Sequence, residues 1–172
     1  MKNGNSLTVI QLNDSHAYFD VHQEMFWEGG QAVYRPAGGY ARIAALVKQM
    51  RAANQDRVLF CDCGDTLHGT YPVQRTQAQA LIPVLNALGL DAMTVHWEFA
   101  YGPATLKQRA AELNYPMLAS NVYDQTTKER FFPPYRVKEI GGLRIGLVGI
   151  ASNIVGKTMP PSFSEGLEFT LW

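Results

Sequence analysis

The chain has 172 residues, with fifteen Lys and Arg against fifteen Asp and Glu, so its formal charge is zero with His neutral. Hydrophobic residues make up 47% and charged residues 17%, which excludes a disordered chain and leaves enough apolar material for one core but not for two large domains. No apolar run approaches the ~20 residues that span a bilayer, and the neutral balance gives no electrostatic footprint for a nucleic acid polymer or an anionic membrane.

The opening MKNGNSLTVI carries one lysine and no apolar core of a signal peptide, which points to a cytoplasmic protein. Residues 1–6 are read as a disordered N-terminus. Leu7 to Leu12 is rich in β-branched residues and predicts a buried strand. It ends in the polar turn Asn13-Asp14-Ser15-His16. Tyr18 to Pro36 has no clear period and contains two glycines, a proline and several aromatics, so it reads as a long loop. Gly38-Gly39 opens a helix whose span is marked by Ala41, Ala44, Ala45, Val47 and Met50, with Lys48 and Arg51 on the wetter side.

Val58 to Phe60 starts a second strand that ends near Asp62. It feeds the glycine-containing loop Cys63 to Tyr71. Cys61 and Cys63 are read as free thiols, because a disulfide across one residue would be strained, and free thiols suit a reducing compartment. Pro72 begins a helix to about Leu88 with Gly89 as its C-cap, and Pro83 predicts a kink or a break into two pieces. Asp91 to Val95 predicts a third strand, Pro103 to Leu113 a helix, and Tyr115 to Ala119 a fourth strand. Val137–Ile140 and Leu143–Ile150 flank Gly141-Gly142 as a hairpin. The tail 152–172 is expected to be irregular.

Strand and helix alternate, which predicts an α/β layered fold with a mainly parallel sheet and flanking helices. Chemistry in such sheets sits beyond the carboxyl ends of the strands. Asp14 and His16 follow the first strand, Asp65 and His68 the second, and His96 and Glu98 the third. Any one of these has a bland reading: a solvated turn for Asp14-x-His16, an Asx-turn for Asp65, a hydrogen-bonded rim imidazole for His96. Three strand ends delivering carboxylate and imidazole to one rim favour a site for divalent cations, with Asp14, His16, Asp65 and His96 as ligands. Gly64 would let backbone approach a ligand closely. No Walker A, G-x-S-x-G or dinucleotide-binding fingerprint occurs in a strand–helix setting.

Together LTVIQLNDSHAYF, PAGGYARIAALVKQMR, VLFCDCGDTLHGT, AELNYPMLASNV and GGLRIGLVGIAS resemble the N-terminal metallophosphoesterase domain of the 5′-nucleotidase family, in the calcineurin-like superfamily. The resemblance covers about residues 7–151. It implies a layered α-β-β-α architecture of which this chain would be the N-terminal half. It implies that Asp14 and His16 hold one metal and that Asp65 bridges two. The expected cofactor is two divalent ions, Mn, Zn or Fe, in the longer parent, with partial or no occupancy in this chain. The implied reaction is metal-dependent hydrolysis of a phosphoester such as a nucleotide monophosphate. His68 is a candidate on the substrate side.

The family motif G-N-H-E-F-D-Y-G reads here Val95-His96-Trp97-Glu98-Phe99-Ala100-Tyr101-Gly102. His96 stands in the asparagine position and can still ligate. Trp97 replaces the catalytic histidine and Ala100 its partnering aspartate, and an indole has no basic nitrogen. No catalytic acid or base is therefore assigned. The core H-W-E-F is similar to the thiosulfohydrolase branch, which would hydrolyse a cysteine S-conjugate. A third reading is an inactive fragment or binding module. No histidine follows His96, so the family's later G-H-x-H motif has no counterpart, and the nucleotide-recognising C-terminal domain is not in the sequence. The expectation is a truncated domain whose partners are a small phosphoester, the rest of its parent, and a second copy through exposed sheet surface.

Overall fold

The computed structural model describes residues 6–55 and 57–171. The expected disordered segment 1–6 falls outside them except for Ser6. In chain order the described elements are β1 (Thr8–Leu12), β2 (His22–Glu28), β3 (Gln31–Ala37), α1 (Tyr40–Ala53), β4 (Val58–Asp62), α2 (Tyr71–Arg75), α3 (Ile82–Leu88) and β5 (Ala92–Thr94). They continue with α4 (Pro103–Glu112), β6 (Met117–Leu118), β7 (Val122–Asp124), β8 (Tyr135–Ile140), β9 (Leu143–Val148), α5 (Val155–Thr158) and β10 (Leu167–Phe169). Short 3-10 turns cover Gln79–Leu81, Glu98–Tyr101 and Pro161–Phe163.

The central sheet has the order β1-β4-β5-β6 and every pairing in it is parallel. Strand order follows chain order, and the crossovers run through α1, through α2 and α3, and through α4. This is the predicted α/β fold, with a parallel sheet flanked by helices. β4 is the most deeply placed strand: Val58, Leu59 and Phe60 are all buried, as a strand covered on both faces requires. β1 is not the buried strand expected: it lies at the sheet edge, covered on one face only, and alternates, with Val9 turned outward and exposed. The core fills the space between sheet and helices, with Phe60, Leu85, Met93, Phe99, Leu106 and Val122 in one apolar cluster. At Gly149 a Cβ would stand 2.2 Å from the Leu118 carbonyl oxygen, so only glycine permits this approach.

Three further sequence expectations need correction. Tyr18 to Pro36 is not a loop throughout: β2 and β3 form an antiparallel hairpin from His22 to Ala37. Its turn is Gly29-Gly30, with φ of 57° and 80°, as a two-residue hairpin loop of the I′ kind requires. The hairpin was hidden because most of its residues are exposed, so neither strand shows an inside–outside alternation. The helix expected from Pro72 to Leu88 does break into two pieces, but upstream of Pro83. The break lies at Gln77 and Ala78, which adopt left-handed backbone (φ 49° and 67°), and Pro83 sits in the first turn of α3 where its missing N–H costs nothing. The tail 152–172 is not wholly irregular. It holds α5 and then β10, which pairs antiparallel with β7 and buries Leu167. Pairing across more than forty residues leaves little local signal.

Candidate metal centre

The rim at the carboxyl ends of β1, β4 and β5 is built from three short loops, laced by backbone hydrogen bonds. Asp14 N–H donates to the Gly64 carbonyl (2.9 Å), His16 N–H to the Asp65 carbonyl (3.1 Å), and Cys63 N–H to the Leu12 carbonyl (2.8 Å). Glu98 ties the third loop in. Its carboxylate accepts from Thr66 N–H (2.7 Å) and from His96 N–H (2.6 Å), and its side chain is 1% exposed. One buried carboxylate therefore fixes the segment carrying Asp65 relative to the segment carrying His96.

The lacing is tight enough to force unusual backbone. Asp14, His16, Ala17 and Asp65 all have positive φ, between 46° and 62°. Such conformations cost roughly 1–3 kcal/mol each in L-residues and persist only where the surroundings over-determine them. Gly64 (φ 93°) lies where a Cβ would stand 2.8 Å from His96 N, and Gly69 (φ 121°) where it would stand 2.3 Å from the His16 carbonyl oxygen. Both glycines are required by close approach.

The side chains converge. Asp65 is the hub, with its side chain 10% exposed. Its Oδ2 lies 3.7 Å from His16 Nε2 and 3.3 Å from His96 Nδ1, and its Oδ1 lies against His68 Nε2. Asp14 Oδ1 is 3.9 Å from His16 Nε2. Two groups of three donors result, His16–Asp65–His68 and Asp14–Asp65–His96, and the donor atoms of each lie within 4.8 Å of one another. Asp65 belongs to both, whereas Asp14 and His16, expected to share one metal, fall in different groups. All four residues expected as metal ligands from the sequence are thus brought together. His68, read from the sequence as a substrate-side candidate, faces Asp65 and joins one of the groups.

The donor set fits divalent cations. It mixes carboxylate oxygen with imidazole nitrogen, the set that borderline metals take. Asp65 Oδ1 and His68 Nε2 are both buried, and neither makes a hydrogen bond although they touch. Buried polar atoms without partners are uncommon, and an ion is one of the accepted explanations for them. The hydrogen bond from Asn13 (2.6 Å) holds the Asp14 carboxyl below its ordinary range, keeping it charged and ready to ligate.

Behind the hub lies a polar chain that the sequence did not single out. Asp62, 1% exposed, accepts from Gly64 N–H (2.9 Å) and Thr66 Oγ1–H (2.9 Å). Thr66 bonds Ser15 Oγ (2.9 Å), and Ser15 bonds the Tyr40 hydroxyl (2.9 Å). Burial pushes the Asp62 carboxyl up to about 7, with the nearby Glu98 charge adding to it and the two hydrogen bonds opposing. Trp97 and Ala100 give the site no titratable dyad. The Trp97 ring lies 6.0 Å from the His96 ring, and its Nε1 is buried with no hydrogen-bond partner. Cys61 and Cys63 are free thiols, as expected.

Comparison with known proteins bears on the fold. No family model matches the chain. A 5′-nucleotidase of Vibrio cholerae is 28% identical over 167 residues, covering 95% of this chain and 28% of the relative. The crystal structure of a 5′-nucleotidase precursor from Thermus thermophilus superimposes with a TM-score of 0.77 at 26% identity, over 96% of this chain and 32% of that one. A Thermus thermophilus sulfate thiohydrolase superimposes with a TM-score of 0.86 over the whole of this chain and 40% of that one. Its 22% identity speaks to fold alone. Against these three the chain spans 28% to 40% of their length. The fold they share is that of calcineurin-like phosphoesterases.

Proposed function

We propose, for a chain homologous to the N-terminal metallophosphoesterase domain of the 5′-nucleotidases, that this rim is the metal-binding half of a centre hydrolysing phosphate esters. The observation that carries the reading is the pair of three-donor groups meeting on one carboxylate. Asp14, Asp65 and His96 would hold one divalent cation, and His16, Asp65 and His68 a second. Two cations so held supply Lewis acidity towards a phosphoryl group and a nucleophile from water at neutral pH.

The protein's own groups supply position. Asp65 turns Oδ2 towards both His16 and His96 and Oδ1 towards His68, so its orientation sets both triads. Glu98 clamps the Thr66 and His96 backbone N–H groups, which stops the β4 and β5 loops from drifting apart. Asn13 orients and charges Asp14. The family motif's histidine–aspartate pair has no counterpart here, because Trp97 and Ala100 occupy those positions. Protonation of a leaving group therefore does not fall to that pair, and a substrate whose leaving group departs without a proton suits the site best.

The test is metal loading of the purified chain with Mn2+ or Zn2+, followed by assays with AMP and bis-p-nitrophenyl phosphate. The reading expects metal-dependent release of phosphate or p-nitrophenol, faster from the activated aryl ester than from AMP. Tight metal binding to a chain that hydrolyses neither ester, alone or joined to the remainder found in its relatives, overturns it.

A further inference from the structure

A cavity of about 430 Å³ opens beside the metal-competent rim. His68 forms its border with the donor cluster, and Trp97, Tyr101, Met159 and Phe163 form most of the rest. None of its lining residues is Asp, Glu, Lys or Arg, and only Gln74 adds a neutral polar side chain. We propose that this cavity receives an uncharged, flat aromatic ring bearing a hydrogen-bond acceptor, as the organic part of the ester whose phosphoryl group meets the rim. The proposal rests on the hydrolase reading for its orientation, though the ring site itself does not need a metal.

Four observations converge on it. The volume is ample, since a dry apolar cavity of about 150 Å³ already accepts benzene. Aromatic walls offer stacked and edge-to-face contacts that favour a planar guest over a puckered one. Trp97 Nε1 and the Tyr101 hydroxyl are buried and lack any partner. An indole N–H can only donate, so what it needs is an acceptor. Ala100 also lines the cavity; a larger or charged side chain there would fill or desolvate into the same space. Two of the departures from the family motif, Trp97 and Ala100, thus stand on one wall: the first adds an aromatic face and a donor, the second leaves room.

The experiment uses the full chain labelled with 15N, titrated without metal with benzamide and, in parallel, with cyclohexanecarboxamide. These share the acceptor and differ in planarity. The readout is the Trp97 indole N–H cross-peak, assigned by its loss in Trp97→Phe. Benzamide is expected to shift that peak saturably, with at least tenfold tighter binding than its saturated analogue, and Ala100→Phe is expected to weaken it at least tenfold. An unmoved peak, equal response to the two amides, or full retention of benzamide binding in a folded Ala100→Phe variant overturns the proposal. Titration of Mn2+ in the same samples separates the two readings: a chain that binds metal and ignores benzamide loses the ring site alone.

Discussion

Glu98 gives the sharpest handle on how the rim is held. Its carboxylate accepts two short bonds, at 2.7 and 2.6 Å, from the backbone N–H groups of Thr66 and His96, and the residue is only 1% exposed. Hydrogen bonds to a charged acceptor contribute about 1.5–3 kcal/mol each, so the pair accounts for about 3–6 kcal/mol. Burying the carboxylate offsets part of this. Glu98→Ala should therefore destabilise the metal-free chain by about 3 kcal/mol. Glu98→Gln keeps one acceptor but turns an amide donor towards the other N–H, and should cost about 2 kcal/mol. With a urea slope of roughly 2–3 kcal/mol/M for a chain of this size, Glu98→Ala shifts the unfolding midpoint by about 1 M. Because the same clamp positions Asp65 and His96, metal affinity in a still-folded Glu98→Gln protein should fall about 10–100-fold, as for other residues that orient ligands. Urea unfolding monitored by far-UV circular dichroism, with metal titration of the variants, measures both. A shift below about 0.3 M for Glu98→Ala, or unchanged metal affinity in Glu98→Gln, refutes the clamp.

Asp62 makes the metal-free chain pH-sensitive. Its folded carboxyl is raised to about 7 against 3.8 in the unfolded chain, so the folded state binds the extra proton between those values. Stability should fall as pH rises from about 4 to about 7 and level off above, a loss of up to about 4 kcal/mol. Asp62→Asn should flatten that slope and be the more stable protein at pH 8; unfolding curves from pH 5 to pH 8 in which the two proteins run parallel would contradict it. Gly64→Ala should destabilise by about 2–4 kcal/mol, since its Cβ would meet His96 N at 2.8 Å on a backbone with φ of 93°. Thermal unfolding with no change in midpoint would show that the β4 and β5 loops are not in close contact. Deleting the β2–β3 hairpin between Val21 and Gly38, with a short glycine linker, should leave the core unfolding transition within about 1 kcal/mol, because most of its residues are exposed; collapse of the fold would refute that.

What the sequence made legible follows the physics of each element. β4 was readable because a buried parallel strand is a continuous apolar run, β1 from its β-branched residues although it lies at the sheet edge with none of its residues buried, and α1 because its apolar residues repeat at helical spacing. The rim was readable because a parallel sheet aligns its strand ends, so Asp14, His16, Asp65 and His96 had to meet if the strand order followed the chain, and it does. The β2–β3 hairpin was not, since an arm wet on both faces shows no alternation; Gly29-Gly30 was the available signal. β7 and β10 were not, since three-residue strands are fixed by each other at long range. Glu98 was seen on the rim but not as its clamp, because a carboxylate that binds backbone rather than metal is revealed only by burial. The placement of His68 against Asp65 likewise depends on the loop that Gly69 tightens against His16.

The central claim is that Asp65 is shared between two cation sites. Equilibrium titration of Mn2+ into the metal-free chain, with counts of bound ion in wild type, Asp14→Asn, His68→Ala and Asp65→Asn, tests it most directly. The account predicts that Asp14→Asn and His68→Ala each weaken a different one of two ions, whereas Asp65→Asn weakens both together. A single ion insensitive to His68→Ala, or an Asp65→Asn protein that keeps one ion at wild-type affinity, would contradict it.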